Sequence, residues 1–228
     1  MVRLLSIGLL LFSASAASSQ DVMPVIFNGK DFAGWSFHLR SKTPEEKPEP
    51  KDTWSVVKGI IKCTGKPNGY FATVKEFGDY KLKLKWRYPE GSTGGNSGVL
   101  LHVTGEDKVW PQSIEVQLNS GKAGDIWLNP NKEGEYPKVT VDATRKDETN
   151  KEGRHYYRVG KDEMIEKPIG EWNECLITCK GGDITIIMNG KLVNEIKNGS
   201  LVKGRIAFQS EGTPVEFQDI QIQAWNVK

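Results

Sequence analysis

Alternation of apolar and polar residues in the stretch 94–118 is the feature that most constrains how this chain folds. Two alternating runs, Asn96 to Val103 and Ser113 to Leu118, flank a polar connection that contains Gly and Pro, which is the pattern of two β-strands. Successive strand side chains lie on opposite faces. One face of the second run is apolar and comprises Ile114, Val116 and Leu118. Its opposite face is polar and comprises Ser113, Glu115 and Gln117.

The first run divides in the same way. One face is expected to carry Ser97, Val99, Leu101 and Val103, and the other Asn96, Gly98, Leu100 and His102. A sheet surface with Glu, Gln, Asn and His suits a polyhydroxylated ligand. A solvated outer face, common in antiparallel sheets, is an equally good interpretation of the alternation alone.

Short strand patterns separated by Gly turns recur along the rest of the chain. Residues 80–88 alternate between an apolar and a basic face, and residues 172–196 contain two hairpin turns, Gly181-Gly182 and Asn189-Gly190. Two closing strands follow, and no segment shows a sustained 3.6-residue apolar period. The sequence therefore predicts an all-β fold, an antiparallel sandwich or barrel, with a long polar loop insertion at about 129–168.

The first twenty residues have the pattern of a secretory signal peptide. Arg3 precedes an apolar run from Leu4 to Phe12, and Ala14-Ser15-Ala16 matches a small-residue cleavage site. No later segment is apolar enough for a membrane span. We therefore expect residues 21–228 to form a single domain that is exported, either to the periplasm or outside the cell.

Charge and cysteine content narrow the function classes. Without Arg3, 30 Lys and Arg residues face 29 Asp and Glu residues, which argues against nucleic acid or an anionic membrane as partner. Cys175 and Cys179 share one face of a strand about 13 Å apart, so they cannot pair with each other. Cys63 remains open as a partner for one of them, although three buried thiols are the favoured interpretation.

Several segments together resemble the 3-keto-disaccharide hydrolase family. They are FNGKDFAGW, NSGVLLHV, PQSIEVQL, GEWNECLI, IIMNGKLV and GRIAFQSEGTPVEFQDIQI, and they extend from Val25 to Trp225. The resemblance implies a concanavalin A-like jelly roll of two curved sheets, with sugar bound on the concave face. It also implies action on glycosides whose sugar is oxidised to a ketone at C3.

Such a substrate defines the groups that an enzyme needs. A ketone at C3 acidifies the hydrogen at C2, a base removes it, the enolate expels the glycosidic oxygen from C1, and water adds to the unsaturated sugar. The minimum set is one general base, a donor for the oxyanion and an acid for the leaving group.

The candidates come from the polar strand faces. The predicted catalytic residues are Glu115 as base, His102 as a second base or acid, and Glu211 as a second carboxylate. The predicted substrate-binding residues are Gln117, Asn96, Gln209, Trp110, Lys66 and Asp125. Each also has a structural interpretation: solvation of an outer face for Glu115, a hydrogen-bonded structural role for His102, and a turn for Glu211.

Two carboxylates and a His near one another would also suit a divalent cation, although no metal motif of fixed spacing is present and no cofactor is required. The expected partner is a glycoside or an oxidised disaccharide. The alternatives are a non-catalytic carbohydrate-binding module of the same fold and a structural surface protein, because one sandwich architecture serves all three roles.

Overall fold

The computed structural model describes residues 23–142, 147–149 and 153–225, so the predicted signal peptide lies outside the described residues. Within these ranges the chain forms fifteen strands and one helix of four residues, α1 (Pro50–Thr53). The strands are β1 (Trp35–Leu39), β2 (Trp54–Val57), β3 (Ile60–Cys63), β4 (Gly69–Thr73), β5 (Tyr80–Arg87), β6 (Gly98–Thr104), β7 (Gln112–Gln117), β8 (Ile126–Asn129), β9 (Asp147–Thr149), β10 (Arg154–Tyr156), β11 (Asn173–Lys180), β12 (Asp183–Met188), β13 (Lys191–Ile196), β14 (Arg205–Ser210) and β15 (Val215–Ala224). The described residues include no helix that has the length and apolar character of a membrane span.

The strands form two antiparallel sheets packed as a jelly-roll β-sandwich, which confirms the predicted fold class. The eight-stranded sheet has the order β1-β4-β14-β6-β7-β8-β10-β9, and the seven-stranded sheet has the order β13-β12-β11-β5-β15-β3-β2. One continuous apolar core lies between them. Near one end of this core, the Phe71 ring stacks on Phe208 with 4.9 Å between centroids and meets the edge of Trp54 at 4.8 Å.

Alternation determines which side chains enter the core. Along β5 every second residue is fully buried, and the intervening Lys and Arg side chains form the outer face of the seven-stranded sheet. There Lys83 and Lys85 form ion pairs of 2.9 and 2.8 Å with Glu174 and Asp219. Exposed pairs of this kind contribute about 0–1 kcal/mol each, so the buried face provides most of the stabilisation.

The predicted facing of β6 is wrong at its carboxyl end. A bulge between Leu101 and Thr104 shifts the pairing with β7, and His102 adopts a left-handed backbone conformation with φ of 53°. His102 therefore leaves the face of Glu115 and packs edge-on against Tyr80 of the other sheet at 5.5 Å. Val103 lies instead on the outer face of the sheet, in a small apolar cluster with Leu100.

The stretch 129–168 is not structureless throughout. Within its described residues it contributes β9 and β10, and β10 pairs with β8, so these short strands are the last two of the eight-stranded sheet. Three-residue strands are too short to show an alternating pattern, which is why the sequence did not predict them.

Candidate functional site

A small pocket of about 60 Å³ lies on the outer face of the eight-stranded sheet, where β7 and β8 meet two covering loops. Five of the predicted site residues line it. The complete lining is Asn96, Trp110, Glu115, Gln117, Trp127, Asn129 and Glu211. The outer face is shielded here, since Glu115 is only 4% exposed, so a solvated-surface role does not account for this carboxylate.

Glu115 is held at the centre of β7. It pairs with Leu100 on one side and Trp127 on the other, and its Oε2 accepts a hydrogen bond of 3.0 Å from the Asn129 side-chain amide. The same amide donates to the Ser113 hydroxyl at 3.1 Å. Asn129 therefore fixes the orientation of the carboxylate relative to the sheet.

Gly98 provides the space into which Glu115 and Gln209 extend. A Cβ atom at this position would lie 2.7 Å from Glu115 Oε1 and 2.4 Å from Gln209 Oε1. Gln209 is 1% exposed and belongs to β14, on the far side of β6 from Glu115. Gln209, which was predicted beside Glu211, thus lies beside Glu115 but does not line the pocket itself.

Several buried polar atoms in and beside this pocket have no hydrogen-bond partner among the described residues. They are Asn96 Oδ1, Trp127 Nε1, and both Oε1 and Nε2 of Gln209. A buried polar atom left unpaired costs about 1–3 kcal/mol, and native proteins hold few of them. Their concentration at one place indicates a site for a polar ligand with both donor and acceptor groups.

Glu211 reaches the same pocket from the turn that follows β14. Its backbone forms an antiparallel bridge with Asn96, and the Asn96 N–H donates to the Thr213 hydroxyl at 3.0 Å. These contacts hold the segment before β6 against the turn after β14. Two carboxylates, Glu115 and Glu211, therefore line one small pocket.

The Trp127 indole packs against His155, whose side chain contacts the buried Asp125. The His155 ring stacks on Trp127 with 4.6 Å between centroids and an interplanar angle of 7°, and His155 Nε2 lies 2.7 Å from Asp125 Oδ2. The other Asp125 oxygen accepts the Arg158 backbone N–H at 2.9 Å. Asp125, which we predicted to bind substrate, therefore lies outside the pocket lining and is placed to support the wall of the pocket.

The loop 105–111 covers the outer face and carries Trp110 into the pocket. Asp107 accepts a hydrogen bond of 2.6 Å from the Tyr70 hydroxyl and pairs with Arg205, while Lys108 Nζ donates to two backbone carbonyls of the 130–131 turn. The Arg40 guanidinium lies 5.0 Å from the centre of the Trp110 ring. These contacts connect the loop to four neighbouring segments.

Two further predicted residues, His102 and Lys66, lie outside the pocket lining. His102 is 1% exposed, and its Nδ1 and Nε2 lie 2.8 and 3.2 Å from the carbonyls of Leu201 and Gly78, so its role is structural. Burial lowers its pKa. Lys66 is exposed in the loop between β3 and β4 and does not line the pocket.

Gln117 lines the pocket but folds back on its own strand, where its Oε1 accepts the N–H groups of Leu118 and Asn119, both at 2.9 Å.

Trp127 and Asn129 were not predicted from the sequence. Both share the face of Asp125 in the alternating segment GDIWLN, so pairing this strand with the Glu115 strand would have found them. The His102 ring contacts the carbonyls of Leu201 and Gly78 and does not line the pocket of the two carboxylates, and the described residues contain no group of three or more His, Cys, Asp or Glu suited to a metal.

Comparison with known proteins identifies one family. The model of the 3-keto-alpha-glucoside-1,2-lyase-like domain matches residues 23–223. The curated proteins compared include no significant match.

Solved structures share the fold at low sequence identity. A provisionally named glycosyl hydrolase from Parabacteroides distasonis ATCC 8503 is 24% identical, with a TM-score of 0.58 over 88% of this chain and 92% of that one. A second structure described in the same way from that organism is 23% identical, with a TM-score of 0.56 over 84% and 99%. The carbohydrate-binding module CBM66 from Bacillus subtilis is 9% identical, with a TM-score of 0.54 over 84% and 96%.

Proposed function

Because this chain belongs to the family of 3-keto-alpha-glucoside-1,2-lyase-like domains, we propose that it cleaves 3-keto-glycosides at the pocket around Glu115. The proposed reaction removes the proton at C2, expels the aglycone from C1 and adds water to the unsaturated sugar. One observation carries the proposal: two carboxylates and several unpaired buried polar atoms meet at one site on the outer face of the eight-stranded sheet.

Glu115 is the proposed general base. Its carboxylate is buried and held by Asn129, so it is oriented before substrate binds. On proton transfer, the C2–H electron pair forms the enolate of the C3 ketone, and the proton stays on Glu115.

The enolate oxygen needs hydrogen-bond donors. Trp127 lines the pocket, and its Nε1 is buried and lacks a partner among the described residues, so it has a hydrogen to donate. Donors placed in advance in a site that excludes water stabilise developing negative charge more than water does.

The enolate then breaks the C1–O bond, and the departing glycosidic oxygen takes a proton. Glu211, the second carboxyl of the pocket, is the proposed acid. The pocket of about 60 Å³ is equivalent to about two water molecules, so we propose that it encloses one edge of the sugar while the aglycone lies outside.

The test is release of the aglycone from a chromogenic aryl 3-keto-glucoside. Glu115→Gln should lower the rate by at least about 10²-fold, as expected for loss of a general base. Glu174→Gln, at an exposed ion pair on the other sheet, is the matched control and should retain full activity. Unchanged release by Glu115→Gln would exclude this residue as the base.

The second candidate function is a carbohydrate-binding module without catalysis. The presence of two Trp side chains in the pocket and the fold shared with CBM66 favour it. Saturable sugar binding with no release from any 3-keto-glycoside would establish this function instead.

We also propose that the protein is exported, because residues 1–20 have the pattern of a signal peptide. N-terminal sequencing of the processed protein tests this proposal.

A further inference from the structure

A second cavity, of about 270 Å³, lies outside the pocket around Glu115 and has no part in the proposed reaction. It is formed by the end of β5, the turn at Ser120 and Gly121, and the segment 164–171. Its wall is mainly apolar, with Trp86, Tyr88 and Ile169 among the lining side chains.

Two buried polar atoms in this wall have no partner among the described residues. Glu166 Oε1 accepts the backbone N–H groups of Gly121 at 2.6 Å and Ala123 at 3.4 Å, but Glu166 Oε2 has no partner. The indole N–H of Trp86 is also buried and unpaired. One acceptor and one donor are therefore left unsatisfied in residues that line the same cavity.

The cavity is preformed because hydrogen bonds fix the segment that closes it. The Asn173 side-chain oxygen accepts the Lys167 backbone N–H at 2.8 Å, and the Asn189 side-chain amide donates to the Ile165 carbonyl at 2.9 Å. Asn173 is the first residue of β11 and Asn189 lies in the turn between β12 and β13, so the seven-stranded sheet holds the segment in place.

We propose that this cavity is a second carbohydrate-binding site that takes a single neutral sugar ring. A hydroxyl group both donates and accepts, so a sugar can satisfy Glu166 Oε2 and the Trp86 N–H together. An apolar ligand would leave both unpaired, an anion would meet the Glu166 carboxylate, and a cation cannot accept from Trp86. The C–H face of the ring would pack on Tyr88 and Ile169.

The two sites are neighbours that share one segment of chain. A Cβ atom on Gly94 would lie 2.3 Å from Ser120 Oγ and 3.5 Å from Ile169 Cδ1, both of which belong to residues lining the second cavity. Asn96, two residues further on, lines the first pocket. A sugar in the second site would therefore lie behind the segment that carries Asn96.

The experiment is a titration of the ¹⁵N-labelled protein, residues 21–228, with methyl α-D-glucopyranoside, followed through the tryptophan indole N–H signals. Trp86→Phe assigns the Trp86 signal by its disappearance. We expect that signal to shift and to saturate. Glu166→Gln, which keeps Oε1 and replaces the unpaired acceptor by a donor, should weaken binding about tenfold. Glu115→Gln should leave the Trp86 titration unchanged.

A blocking variant covers the case in which Glu166→Gln does not fold. Ile169 is 42% exposed, so Ile169→Trp fills the cavity mouth from a position that tolerates a larger side chain, and it should abolish the Trp86 shift. Shifts confined to Trp110 and Trp127, or no shifts at all, would overturn the proposal. Aglycone release is measured separately, so failure here does not affect the proposed reaction.

Discussion

Gly98 keeps the pocket open because it has no side chain, although its backbone conformation does not require glycine. Its backbone lies outside the left-handed region, so alanine fits the strand, but the new Cβ would displace Glu115 and Gln209. Gly98→Ala should lower aglycone release at least about tenfold, since small displacements of reacting groups are costly. Thermal unfolding should show Tm lowered by less than about 4 °C, equivalent to ~1 kcal/mol for a chain of this size.

The control for this variant is Gly78→Ala, where the nearest atom to the new Cβ is the Val202 carbonyl oxygen at 3.4 Å. It should retain full activity. Wild-type rates in Gly98→Ala would show that the positions of Glu115 and Gln209 do not limit the reaction.

Residue-level prediction succeeded where strand alternation is uninterrupted. Glu115, Gln117 and Asn96 were brought to one pocket as the pattern indicated. His102 was misplaced because a bulge reverses the facing of every residue after it, and a bulge has no reliable sequence signal without the partner strand. Trp127 was missed for a related reason, since its facing has functional meaning only once β8 is known to pair with β7.

At the scale of elements, the loop 105–111 is held over the sheet by Asp107. Tyr70→Phe removes one of its hydrogen bonds, from a hydroxyl on a side chain with no exposed surface. Hydrogen bonds to charged groups contribute about 1.5–3 kcal/mol, so Tm should fall measurably. Because Trp110 would be held less firmly, KM for a 3-keto-glucoside should rise about threefold or more, with kcat within about twofold.

The control is Tyr80→Phe, which removes a buried hydroxyl from the other sheet and should leave KM unchanged. An equal rise in KM in both variants would mean that the effect is not specific to the loop.

The same loop gives a pH dependence of stability. Burial opposes ionisation of Asp107, but hydrogen bonds from Tyr70 and Arg205 outweigh it and hold the pKa below the usual 3.8. A lowered folded-state pKa adds stability above the unfolded value, and this stability is lost as pH falls through the folded value. Between about pH 6 and about pH 2.5, Tm of the wild type should therefore fall more steeply below about pH 4 than Tm of Asp107→Asn. Parallel curves would contradict this contribution.

Elements were predictable to the extent that they are long enough to show a period. The eight-residue strand β5 was evident from its alternating Lys residues, whereas β9 and β10 have three residues each. These two acquire strand geometry by pairing with each other and with β8, which is tertiary information. The covering loop 105–111 likewise depends on contacts with β4 and β14 that are distant in sequence.

At the scale of the whole molecule, the reactivity of the three cysteine thiols measures how far the two sheets separate. Cys63, Cys175 and Cys179 are all unpaired and buried in the core, on β3 and β11 of the seven-stranded sheet. Burial raises the pKa of Cys63 to about 11 and the pKa of Cys175 and Cys179 to about 12. At about pH 8 the reactive thiolate is therefore scarce, and a reagent reaches the sulfur atoms only when the sandwich opens.

We expect an aromatic disulfide reagent at about pH 8 to label none of these thiols within minutes in the native protein, and all three in denaturing guanidinium. Because both strands are interior strands of one sheet, the three should become reactive together, along the same denaturant curve as the loss of tryptophan fluorescence. Ser41→Cys, at an exposed position before α1, should add one thiol that reacts at once and so verify the reagent. Immediate labelling of a native cysteine, or labelling in separate steps, would show that the core opens locally.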